Sequence, residues 1–222
     1  MGGPAGQAQT ERSLTQVYWL GGSPCAGKTT IAAIIAQEHG WQVYHLDRYI
    51  DSYLQRADPD QHPHITRYKH TGLKQFLALP YQEQFQRVLG LSMEYIHFVL
   101  ADIDDMPDDV PILVEGSNLR LQDVVRYLPD VHHALWMTPT EDFLFRTYPK
   151  RGTWVQDVLR HYYPEEQRHD IFAQWMLRDA RHAQWASEQA REHDIRLIVV
   201  DGKHPIRHNA ALVEQHFGLV NV

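Results

Sequence analysis

The chain is 222 residues long, with 43% hydrophobic and 22% charged residues and a formal charge of −7. Its length suits one domain with a sizeable core, or one domain carrying an inserted subdomain, and the composition excludes a disordered or membrane-embedded chain. The acidic balance argues against a general nucleic-acid binder, which needs a basic excess to offset the phosphates.

Residues 1 to 14, with "MGGPAGQAQTERS", lack the apolar central segment of a signal peptide and read as a flexible polar tail. The longest apolar runs, "IAAII" and "LIVV", fall far short of a spanning helix. A cytoplasmic compartment without membrane association is therefore the expectation, and the single cysteine, Cys25, fits a reducing one.

The first strand reads as "QVYWL", residues 16 to 20, and a glycine-rich turn follows it directly. Gly22, Ser23, Pro24, Cys25, Ala26, Gly27, Lys28 and Thr29 meet the pattern G-x-x-x-x-G-K-[ST], the Walker A signature. Glycines let successive N–H groups point at phosphate oxygens, and the helix that opens there adds its positive end. Lys28 is placed to reach the outer phosphates, the Thr29 hydroxyl is a hard oxygen ligand for Mg²⁺, and Thr30 continues the loop into the helix. That helix, "KTTIAAIIAQEHG", closes at Gly40, where a left-handed cap belongs.

The second strand is "QVYHL", residues 42 to 46, and Asp47 follows it. In open α/β sheets ligands gather at the carboxyl ends of strands, so Asp47 is a candidate base as well as a candidate helix cap. Asp51, four residues on, would share its helical face. Residues 51 to 107 are longer than one crossover requires, and Phe85, Val88, Leu89, Ser92, Tyr95, Ile96, Val99 and Ile103 follow the helical period. Arg48, Arg56, Arg67, Lys69 and Lys74 could grip an anion or form a solvated face. The histidines of "QHPHITRYKH" (His62, His64, His70) have no cysteines or glutamate helix motif beside them, so they read as solvated basic surface rather than zinc ligands.

The third strand, "PILVE" (111 to 115), ends in Glu115 and leads into Gly116, Ser117 and Asn118, well placed to touch a substrate. The fourth, "HALWM" (133 to 137), precedes Thr138, Pro139, Thr140 and Glu141, a capping box with proline at the first helical position, so a helix is expected from about Glu141. Arg146, Lys150 and Arg151 occupy the turn beyond that helix, either folding over phosphates or complementing the helix dipole. A long helix is expected from about Ile171 to Glu192, then a fifth strand, "RLIVV" (196 to 200), and a last helix near Pro205 to Phe217. Strands alternating with helices predict a parallel sheet with right-handed crossovers.

The chain resembles the small P-loop kinases, the broad group of nucleoside monophosphate, shikimate, gluconate and uridine kinases, from about residue 15 to 218. "GGSPCAGKTT" is similar to their phosphate loop, "VYHLDRY" to their second strand with its acidic end, and "ILVEG" to a Walker B variant with glutamate in place of aspartate. "PTEDFLFRTYPKRG" is similar to the helix leading into their arginine-bearing lid, and "LIVVDG" to the last strand and the loop beneath the adenine. The resemblance implies a three-layer α/β P-loop fold, sheet order 2-3-1-4-5, forming one kinase-like domain over residues 15 to 222. Within it, residues 51 to 107 would form a helical acceptor-binding region and residues 146 to 170 a lid.

The chemistry expected is ATP- and Mg²⁺-dependent phosphoryl transfer to a small-molecule acceptor. Lys28, Asp47, Arg146 and Arg151 would be catalytic, with Asp47, Glu115, Gly116 and Ser117 near the acceptor and Thr29 and Glu115 near the metal. An alcohol acceptor gains from a carboxylate base, whereas a nucleotide brings its own phosphate nucleophile. Asp47 therefore favours a hydroxyl group of a sugar, nucleoside, metabolite or antibiotic. The alternatives are a nucleoside monophosphate kinase and a nucleotide-binding regulatory or toxin-like protein with little turnover.

Overall fold

The computed structural model describes residues 14–150 and 154–220. Five short apolar segments form β1 (Val17–Gly22), β2 (Gln42–His45), β3 (Ile112–Glu115), β4 (Ala134–Pro139) and β5 (Arg196–Val200). They pair as one parallel sheet in the order β2-β3-β1-β4-β5. Alternate residues explain why the central strands read as continuous apolar runs rather than as a polar/apolar alternation. Val17, Trp19, Ile112, Val114, Ala134 and Trp136 join a core on one face, while Leu20, Leu113, Leu135 and Met137 join a second core on the other. A strand covered on both faces has no polar side to show.

Helices α1 (Lys28–His39) and α9 (Ile206–His216) cover one face, with Ile31, Ile35, Val213 and Phe217 in the core. Gly40 caps α1 at φ 71°, its N–H donating to the Ala36 carbonyl. The opposite face is covered by α4 (Tyr81–Asp104), the short α5 (Leu121–Val124) and α8 (Glu165–Glu192). The α8 helix begins several residues earlier than its apolar periodicity predicts, because its first turn is exposed and carries Glu165 and Glu166. Acidic residues there complement the helix dipole without needing a buried stripe.

The stretch between β2 and β3 folds into α2 (Ile50–Arg56), α3 (Pro63–Leu77) and α4, with α3 kinked at Gly72 (φ 70°). Polar anchors fix this segment to the sheet edge: the Tyr44 hydroxyl donates to Asp102 and pairs with Tyr53, and Arg56 forms an ion pair with Asp102. Arg56 is thus committed to structure, lying 5.0 Å from the Phe98 ring centroid. His62 is buried rather than solvated, its Nδ1 accepting the Asp58 N–H.

After β4 come α6 (Glu141–Thr147) and α7 (Trp154–Tyr162), which pack with α3 and α8 in a third apolar cluster containing Phe76, Leu144, Tyr148, Leu159 and Trp175. α6 starts at Glu141, as the sequence predicts, but its capping differs from the expectation. Thr140 is the cap, its Oγ1 accepting the Phe143 N–H at 3.3 Å, while Thr138 and Pro139 finish β4. The reciprocal capping box cannot form, because the third helical residue is Phe143, not a glutamate.

Candidate active site

Parallel pairing brings the carboxyl ends of β1, β2 and β3 level, with Leu20 and His45 both opposite Glu115. The chain leaves β1 through a loop that bends in ways most residues resist: Gly22 at φ 122°, Cys25 at 65° and Gly27 at 85°. At Gly22 a Cβ would lie 1.9 Å from the Met137 carbonyl oxygen, so glycine is required there for both conformation and space. Ser23 N–H donates to that same carbonyl at 3.0 Å and pins the loop to β4. Gly27 then caps α1 in the left-handed conformation, opening the helix toward the concavity. Alternating backbone hands of this kind create an anion-binding nest, reinforced by the helix N-terminus.

Lys28 is buried, and its Nζ donates to the Ser23 carbonyl at 2.7 Å and to Ser117 Oγ at 3.0 Å. Buried charges need such partners. The lysine is therefore held across the mouth of the loop, with Ser117 supplied by the turn after β3. Beside it, Thr29 Oγ1 donates to Glu115 at 3.1 Å, and His45 Nδ1 meets the same carboxylate at 2.7 Å. A hydroxyl and a carboxylate converging next to a phosphate nest form a hard-oxygen set that fits Mg²⁺. Gly116, between Glu115 and Ser117, packs so closely on Leu46 that an added Cβ would sit 2.9 Å from it.

Asp47 lies in the single 3-10 turn after β2, Leu46–Arg48. The amide of Asn118 donates to its Oδ1 at 3.2 Å. The cap position of α2 belongs to Tyr49, so Asp47 does not serve as that helix's cap. Asp47 lines one cavity of about 460 Å³ together with Pro24, Cys25, Ala26, Gly27, Lys28, Thr29, Thr30, Glu115 and Ser117. Asp51 does not line it.

The far wall of the cavity was not foreseen. Arg178, Asp179 and His182 of α8 line it. Arg178 grips Asp179 through Nε at 2.8 Å and Nη2 at 2.7 Å and lies 5.4 Å from the Trp175 centroid. Asp179 Oδ2 is buried with no hydrogen-bond partner among the described residues. Burial holds the His182 ring far below the usual histidine range, at about 4, with Lys28 and Arg178 pushing the same way and Asp179 opposing. Arg178 and His182 stand four residues apart, on one helical face. By contrast, Arg146 is exposed, paired with Asp142 at 3.1 Å, and does not line the cavity; Lys150 is exposed as well. Arg151 lies outside the described residues.

No known protein-family profile matches the chain, and no curated protein matches it in sequence. Among solved structures it is similar to an uncharacterized protein from Eubacterium ventriosum ATCC 27560, at 11% identity and a TM-score of 0.45, covering 92% of this chain and 98% of that one. It is also similar to a gluconokinase from Sinorhizobium meliloti 1021, at 15% identity and a TM-score of 0.43, covering 94% of each chain.

Of two further groups in the site, His45 had a weak signal in the sequence and Arg178 had none. His45 stands in register with Glu115, which its position two residues before Asp47 would suggest only once the strand order is known. Arg178 belongs to a helix whose sequence, "RDARHAQW", gives no spacing that separates a cavity-facing arginine from a solvated one.

Proposed function

We propose that this chain is an ATP- and Mg²⁺-dependent phosphotransferase that acts on a hydroxyl group of a small molecule. The observation that carries the proposal is that one cavity holds both a glycine-bent loop at a helix N-terminus, with Lys28 across it, and a carboxylate, Asp47, set outside the loop. A pure nucleotide binder has no need of the second group. Thr29 and Glu115 would hold the metal, which supplies charge neutralisation on the phosphates.

In this reading Lys28 and the loop amides orient the β- and γ-phosphates of ATP. Asp47 takes the proton of the acceptor hydroxyl, whose oxygen bonds to the γ-phosphorus as the bond to the bridging oxygen breaks and ADP leaves. Asn118 fixes one oxygen of Asp47, leaving the carboxylate oriented for that transfer. Arg151, from the proposed lid over residues 146 to 170, is the cation offered to the migrating charge beside Lys28. Lid closure would exclude water and suppress ATP hydrolysis. A nucleoside monophosphate kinase fits less well, since an anionic acceptor needs cations of its own and the described wall has Lys28 and Arg178 alone.

The test is transfer of labelled γ-phosphate. Lys28→Ala should abolish it while thermal melting is retained. Asp47→Asn should lower kcat by about 10²- to 10⁴-fold with ATP affinity unchanged; an Asp47→Asn enzyme of wild-type rate would remove the hydroxyl-directed role.

A further inference from the structure

The chemistry of the acceptor can be narrowed from the part of the cavity outside the nest. Three helices build this wall: Tyr68, Leu73 and Phe76 from α3, with Ile50 of α2 below them and Val88, Leu91 and Tyr95 from α4 opposite. Burial pushes the Tyr68 and Tyr95 phenols up, so both stay neutral.

Charge is equally informative. Among the described residues the only cations on the wall are Lys28, which belongs to the nest, and Arg178, whose guanidinium already grips Asp179. The basic residues nearby in sequence do not reach the cavity: Arg56 is paired with Asp102, and Arg48, Arg67, Lys69 and Lys74 are absent from its lining. A carboxylate or phosphate on the acceptor would enter a space lined by two carboxylates of its own sign, Asp47 and Asp179. Of the seven side chains that α2, α3 and α4 contribute, only Tyr68 and Tyr95 offer a polyol a hydrogen-bond partner. Each hydroxyl buried there without a partner weakens binding roughly tenfold to a hundredfold.

We propose that the acceptor is a neutral alcohol with an apolar body, alkyl or aryl, that fills the space between α3 and α4 and presents its hydroxyl to Asp47. This rests on the phosphotransferase reading of the same cavity. Each methylene buried in that space should tighten binding about fourfold.

The experiment measures binding and transfer separately on the full chain. Calorimetry with Mg²⁺ and a non-hydrolysable ATP analogue compares straight-chain primary alcohols of increasing length and phenylalkanols with sorbitol, gluconate and uridine monophosphate. The same compounds are then offered with labelled ATP. The expected result is affinity rising about fourfold per methylene, with kcat/KM rising in step. Val88→Thr, nearly the same shape but polar, should weaken the longest bound alcohol roughly fivefold or more while its melting temperature shows it folded. Flat affinity along the series, an unaffected Val88→Thr, or tighter binding of sorbitol, gluconate or the monophosphate would overturn the inference. Phosphorylation of one of those polar compounds would do so while leaving the phosphotransferase reading intact. If the alcohols bind with the expected increments but receive no phosphate, the ligand class stands and the phosphotransferase reading fails.

Discussion

His182 links the cavity to the stability of the whole chain through pH. Its ring is 5% exposed, packed between Phe85 and Trp185 and facing Lys28 and Arg178, and burial lowers its pKa from 6.5 to about 4. The folded value lies below the unfolded one, so between these limits the unfolded chain takes up a proton that the folded chain refuses. Stability is therefore whole above pH 6.5 and is lost as pH falls toward about 4. Between about pH 7.5 and about pH 5 this one group withdraws about 2 kcal/mol, or roughly 4–8 °C in melting temperature for a chain of this size. Urea unfolding of wild type and His182→Gln at both pH values isolates the effect, because every other titrating group is common to the two. Wild type should lose about 2 kcal/mol more than the variant on acidification. Parallel losses would show that the ring is protonated in the folded state, and the picture of a neutral histidine on the cavity wall would have to be abandoned.

Other substitutions report on separate parts of the site. Gly22→Ala must place a methyl group 1.9 Å from a backbone oxygen at a φ of 122°, so denaturant melts should show a loss of roughly 2–6 kcal/mol from strain and overpacking together. Glu115→Gln removes one charge from the Thr29–Glu115–His45 group, and the Mg²⁺ concentration for half-maximal transfer should rise about 10- to 100-fold. Arg178→Ala leaves Asp179, 3% exposed, without its counter-charge. That should cost about 3–5 kcal/mol of stability, and Arg178→Ala combined with Asp179→Ala should recover part of it.

Most of the fold could be read from the sequence because its strands are buried on both faces. Runs such as "PILVE" and "HALWM" satisfy two cores at once, and their spacing leaves room only for crossover helices. The 2-3-1-4-5 order came from the resemblance to P-loop kinases, since local patterns do not specify which strands pair. The nest was legible for a similar reason: its chemistry lies in eight consecutive residues, where spacing in sequence is spacing in space. Glu115 and Ser117 were reachable by the same logic, as the end of a strand adjoining β1.

The opposite wall was not. Arg178 and His182 arrive from a helix about 150 residues beyond the loop, and which of its faces meets the cavity depends on how α8 crosses the sheet. Arg146 shows the converse: a basic residue in a lid-like sequence context that instead reaches back four residues to Asp142. The start of α6 at Glu141 was legible, but its capping residue was not, for a local reason. "TPTE" contains two threonines that could each cap, and the β4–β5 pairing keeps Thr138 and Pro139 in the strand, leaving the cap to Thr140. Of the apolar residues lining the cavity, Val88 and Tyr95 were visible in a helical stripe, yet a stripe facing a cavity and one facing a core have the same period.

The phosphotransferase assignment is tested most directly by following the γ-phosphate of ATP by phosphorus NMR in the presence of Mg²⁺ and an alkyl or aryl alcohol. The account predicts a phosphate monoester formed in step with ADP, lost in Lys28→Ala and slowed about 10²- to 10⁴-fold in Asp47→Asn. Inorganic phosphate as the sole product, or an anhydride formed on a nucleoside monophosphate at a rate indifferent to Asp47→Asn, would contradict it.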